Sequence, residues 1–134
     1  MTKPVRLLAL PLLLLSVSCA TKVGHWPATE FSYPTKREAL QGEVRSSLEK
    51  QGWLAMPGDT ASDVHGIKPG PGGHRTVADF HFVDTEKGSS FDLTAGSHHV
   101  VNWLTFGILG RSTQARARNV IRAWLEEWNK GHPK

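Results

Sequence analysis

Two short runs set the fold of this chain. Phe80 and Phe82 alternate with Asp79 and His81, and Phe91 and Leu93 alternate with Asp92 and Thr94. Period-two alternation predicts strands with one apolar face. Between the runs lies Thr85-Glu86-Lys87-Gly88, a turn sequence with glycine at its end. A four-residue loop pairs Phe82 with Phe91, Phe80 with Leu93 and Ala78 with Ala95. A three-residue loop would set Phe82 against Asp92 and mix the faces. A one-residue slip moves a whole strand's apolar set into water, so the four-residue register is expected. It places His81 opposite Asp92 and Asp79 opposite Thr94 on the outer face.

Two helices flank this hairpin. Thr35-Lys36-Arg37-Glu38 has the form of a capping box. It predicts a helix over 36–51, with Gly52 turning the chain at its end. The stripe Leu40, Val44, Leu48 is narrow, so one edge of that helix packs. At the other end, Ser112 is expected to cap a helix over 113–130, stopped by Gly131 and Pro133. Ala117, Val120, Ile121, Trp124, Leu125 and Trp128 follow i, i+3, i+4, i+7 spacing and give it a broad apolar face. Burying Trp124 and Trp128 stabilises the fold by several kcal/mol at about 25 cal/mol per Å2. The arginines Arg116, Arg118 and Arg122 come early and Glu126 and Glu127 late, against the helix dipole. With Arg111 they are candidates for a basic patch facing a partner or anionic headgroups. The fold class that follows is α+β: a small antiparallel sheet packed against an N-terminal and a C-terminal helix.

Other stretches carry weaker signals. Trp53–Met56 is expected as a short strand closed by Pro57-Gly58. From there to His74, including Lys68-Pro69-Gly70-Pro71-Gly72-Gly73, no period survives and a loop is expected. Its glycines lack the feeding strand, following helix and Gly-Lys-Ser/Thr ending of a phosphate loop. Val100 to Leu109 is either a buried third strand or a greasy contact with lipid or a partner through Trp103 and Phe106.

The start of the chain bears on location. Met1–Arg6 carries Lys3 and Arg6 and no acid. Leu7–Val17 is apolar apart from Pro11 and Ser16, and falls short of the roughly 20 residues that spanning requires. Small residues follow, Ser18-Cys19-Ala20, as in an exported leader. The ending Leu15-Ser16-Val17-Ser18-Cys19 resembles the lipobox of bacterial lipoproteins, with Ser16 where that family usually has leucine. The resemblance implies cleavage before Cys19, acylation of that cysteine and an envelope location. Because Ala20 is not aspartate, it further implies the outer membrane, on the periplasmic side. Cleavage after Ala20, giving a secreted or soluble periplasmic protein, is the alternative. Cys19 is the only cysteine, so no internal disulfide can form, and acylation would remove an exposed thiol. The expected organisation is a leader over 1–18, a flexible tether over 19–34 and one domain over 35–134.

Chemistry is thinly signalled. Of the 16 lysines and arginines, Lys3 and Arg6 lie in the leader, leaving 14 against 12 acids. That balance is no footprint for nucleic acid. His81 facing Asp92 near Ser90 has the form of a base held by a carboxylate, without a nucleophile motif. His65, His74, His81, His98 and His99 match no zinc spacing. Asp79 and Asp92 share a face without a legible sugar platform. No cofactor, catalytic residue or metal ligand is expected. The sequence points to a non-enzymatic lipoprotein with a membrane anchor and a protein partner, either an envelope-assembly accessory or an inhibitor of a toxin or hydrolase. A lipid-contacting protein using Val100–Leu109 comes second, and a small hydrolase or metal carrier third.

Overall fold

The structure, a computed structural model, describes residues 18–100 and 106–133. The strands are β1 (Ser18–Trp26), β2 (Ser32–Tyr33), β3 (Leu54–Pro57), β4 (Asp63–Pro69), β5 (Arg75–Asp84) and β6 (Ser89–Val100). The helices are α1 (Arg37–Lys50), between β2 and β3, and α2 (Phe106–Gly131), after β6. The sheet is antiparallel, in the order β1-β6-β5-β4-β3, with β2 pairing the start of β6. Both helices contact β5 and β6, and their buried residues join the sheet in one core. The α+β architecture is thus a six-stranded sheet with a helical layer on one face.

The β5–β6 hairpin has the register that its alternation dictates. Phe82 pairs Phe91, Phe80 pairs Leu93 and Ala78 pairs Ala95, and all six are buried. The turn is Thr85–Gly88, closed by the Thr85 amide donating to the Gly88 carbonyl at 3.0 Å. From α2, Ala117, Ile121, Trp124 and Trp128 enter this core, with Val120 and Leu125 half-buried beside them. Trp124 meets Phe80 edge-on at 5.1 Å, and Trp128 meets Phe91 at 5.6 Å. From α1, Leu40, Val44 and Leu48 are fully buried.

Helix α1 ends as its sequence dictates and begins differently. Gly52 has φ +85°, the Trp53 amide donates to the Leu48 carbonyl at 2.9 Å, and the Gly52 amide to the Glu49 carbonyl at 3.1 Å. These are the two bonds of a Schellman motif. Its apolar contact is Trp53 against Leu48, over the backbone of Gly66 on β4. At the other end the expected capping box does not form. Lys36 is the N-cap, without a side-chain cap. The Thr35 carbonyl is held by the Ser89 hydroxyl at 2.5 Å, which ties the helix entry to the sheet instead.

Three other expectations are corrected. Residues 19–34 are not a flexible tether: β1 pairs β6 from Ser18 onward, and Phe31 and Tyr33 are core residues. Phe31 stacks on Phe91 at 4.6 Å, so the folded unit begins well before residue 35. The expected loop from Pro57 to His74 contains β4, which pairs β3 on one side and β5 on the other. Helix α2 starts at Phe106 rather than after Ser112, so at its described positions the expected third strand is replaced: Val100 ends β6, and Phe106–Leu109 belong to α2. Residues 101–105, with Trp103, lie outside the described residues. No described helix is long and apolar enough to cross a membrane.

Candidate functional site

The helices leave one sheet face open, and strand register decides what that face displays. Directly paired residues share a face, so the positions opposite the buried set form cross-strand rows. One row runs Leu54, Ile67, Val77, Gly96, Lys22. The next runs Met56, His65, Asp79, Thr94, His25, and a third runs Asp63, His81, Asp92. A largely apolar row ending in Lys22 therefore lies beside two rows in which acids and imidazoles meet across β4 and β5. Leu54 is 59% exposed and Met56 45%, the two most exposed large apolar side chains among the described residues.

The acids and histidines are fixed in pairs. The His65 Nδ1 lies 2.5 Å from the Asp79 Oδ1, and the His81 Nδ1 lies 2.5 Å from the Asp63 Oδ1. Both β4 and β5 run acid then histidine, and because the strands are antiparallel the two pairs form a checkerboard. The hydrogen bond from His81 holds the Asp63 carboxyl below its ordinary range, helped by Thr60 against the desolvation of partial burial. His81 is opposite Asp92 as its register dictates, yet its ring bonds to Asp63 on the other neighbouring strand.

The depression around Asp63, Asp79, His81 and Asp92 holds about 190 Å3, below the roughly 300 Å3 where small-molecule pockets begin. Its one hydroxyl is Thr94, which pairs Asp79 rather than His81. Ser90 is buried and pairs Val83, one row away. Asp79 and Asp92 do not act as a free carboxylate pair, since Asp79 is bound to His65. Among the described residues no three His, Cys, Asp or Glu side chains converge to hold a metal ion. His74 is buried with its Nε2 3.2 Å from the Ser97 hydroxyl, remote from the open face.

The larger depressions lie on the helical layer. One of about 750 Å3 runs between α1 and α2 over Ala39, Gly42 and Ser46. At one end of it the His132 ring stacks on Trp128 at 3.6 Å and its Nε2 lies 3.2 Å from Glu43. A second, of about 500 Å3, is lined by Lys68, Arg116, Asn119 and Val120. Glu43, Lys50, Glu127 and His132 line the first, and size alone does not make either the functional site.

The expected basic residues do not share one flank of α2. Arg116, Arg118 and Arg122 are all exposed. Arg118 and Arg122 are one turn apart on one flank of α2. Arg116 is on the other flank, beside Lys68. Cys19 lies on edge strand β1, opposite His99. Phe106 opens α2. The residues that the sequence does not single out are Leu54, Met56 and Asp63, and His65 is weighed there only as a metal ligand. The alternation of Leu54-Ala55-Met56 was a signal for two of them, but Asp63 and His65 become legible only with β4 in place. No known family model matches this chain, and no curated protein matches it.

Proposed function

We propose that the chain is a non-enzymatic lipoprotein of the bacterial envelope, anchored through acylated Cys19, that docks a protein partner on the open face of its sheet. The leader and the lone cysteine that ends it support the anchor and an outer-membrane, periplasm-facing location. The observation that carries the docking face is the adjacency of exposed Leu54 and Met56 to the paired His65–Asp79 and Asp63–His81. An apolar strip supplies area, and prefixed polar groups beside it supply register at little ordering cost. The edge strand β3 adds unpaired backbone groups next to the same strip, ending in Pro57. An envelope-assembly machine and a toxin or hydrolase are the partner classes that suit such an anchored adaptor.

The test is photocrosslinking in intact cells. A photoreactive residue at Met56, on the open face, is expected to give a discrete adduct with one protein. The same probe at Ala123, exposed on α2, is expected to give none. Adducts from Ala123 and none from Met56 would place the partner on the helical layer and reject the proposed face.

A further inference from the structure

Charge is sorted along the sheet, and the Ala78–Ala95 pair marks the dividing line. Every aspartate on a described strand (Asp63, Asp79, Asp84, Asp92) lies on one side of it. Every lysine and arginine on a described strand (Lys22, Lys68, Arg75) lies on the other. Cys19, opposite His99, is at the basic end.

Helix α2 repeats the sorting. Trp124 meets Phe80 and Trp128 meets Phe91, so the helix runs from the basic end of the sheet toward the acidic end. Arg116 and Arg118 lie on its basic-end half, Arg122 follows, and Glu126 and Glu127 lie toward the acidic end with Lys130. Helix α2 begins at Phe106, more than two turns before Arg116, so its macrodipole does not act on these arginines. Helix α1 brings Lys50 and one acid, Glu49, to the basic end. There Lys68 donates to the Gln51 carbonyl at 2.7 Å, which offsets the negative end of that helix.

We infer that this end of the domain is a basic face that lies on the anionic phospholipid headgroups of the bilayer. Its orientation rests on the proposed acylation of Cys19. Because β1 pairs β6 from Cys19 onward, no spacer separates the anchored residue from the sheet. The face is therefore held within a Debye length, about 8–10 Å, of the headgroups. At that range each basic side chain raises partition onto an anionic surface by about fivefold. The acidic rows of the open face point away from the bilayer, toward the compartment where a partner would arrive.

The test is sedimentation of the full chain carrying Cys19→Ser with vesicles of phosphatidylcholine, alone or mixed with phosphatidylglycerol. Added phosphatidylglycerol is expected to increase binding, and salt to reverse the increase. Substituting Arg75→Gln, Arg116→Gln and Arg118→Gln together should lower the phosphatidylglycerol-dependent partition on the order of a hundredfold, from about fivefold per residue. Substituting Lys36→Gln, Lys87→Gln and Lys130→Gln removes the same charge from the acidic end and should leave that partition unchanged. All six side chains are exposed, and circular dichroism verifies that both variants keep the fold. Equal binding to both vesicles, or equal loss in both triple variants, would overturn the basic face. Intact mass of the unsubstituted chain reads acylation independently. Acyl groups without any phosphatidylglycerol dependence would overturn the face and leave the anchor. The dependence without acyl groups would support the face and remove the anchor.

Discussion

The Trp128 indole N–H donates to the Tyr33 hydroxyl at 2.8 Å, joining the last helix to the segment just before α1. The Trp128 ring also stacks on Trp124 and meets Tyr33 edge-on at 5.9 Å. The N-terminal segment is thereby part of the core. Tyr33→Phe keeps the ring and removes the acceptor, leaving the Trp128 N–H buried and unpaired. The expected cost is about 1–3 kcal/mol, read as a lower urea midpoint with an unchanged m-value.

Tyr33 is also the only tyrosine, so phenolate absorbance reports it alone. Burial pushes its hydroxyl above the ordinary 10.0, and the bond from Trp128 only partly offsets that. A raised folded value means that the neutral phenol favours the folded state. That contribution is complete below pH 10.0 and is lost as pH rises through the folded midpoint. The folded chain should titrate above 10.0 and the urea-unfolded chain near it.

At acid pH the sign reverses for Asp63. Its carboxyl is held below the ordinary 3.8, chiefly by the hydrogen bond from His81. Its contribution to stability is present above 3.8 and is lost as pH falls through the folded midpoint. Carbon-detected NMR should place the Asp63 titration below 3.8, and His81→Leu should move it back upward.

Gly66 lies where α1 meets the sheet. A Cβ there would come within 3.2 Å of both the Leu48 Cδ1 and the Trp53 Cε3, the two side chains that close the helix terminus. Gly66→Val forces them apart, and a loss of about 1–3 kcal/mol is expected, measured as a drop in Tm.

Gly66 also explains part of what the sequence conceals. The core face of Asp63-Val64-His65-Gly66-Ile67 shows one large apolar residue, because the place of a second is taken by Leu48 of α1 and by Trp53, which follows it. Alternation therefore fails, and β4 is invisible. Strand β1 is hidden by a register shift between Lys22 and Gly24, which breaks its period before Trp26. Where one face is apolar throughout, as in Phe80–Phe82 and Phe91–Leu93, both strand and register were legible. The same holds for the stripe from Ala117 to Trp128. Of the open face, His81 and Asp79 were legible as exposed, but their partners Asp63 and His65 sit on the strand that lacked a pattern. The Thr35 cap failed because the Ser89 hydroxyl, distant in sequence, anchors that residue through its carbonyl.

Beneath the docking face and its orientation lies the chemistry at Cys19, and intact mass spectrometry of the protein extracted from cell membranes tests it most directly. The expected product is a mature chain that begins at Cys19 and carries covalent acyl groups. A chain that begins at Thr21 without acyl mass, recovered from the soluble fraction, would contradict it.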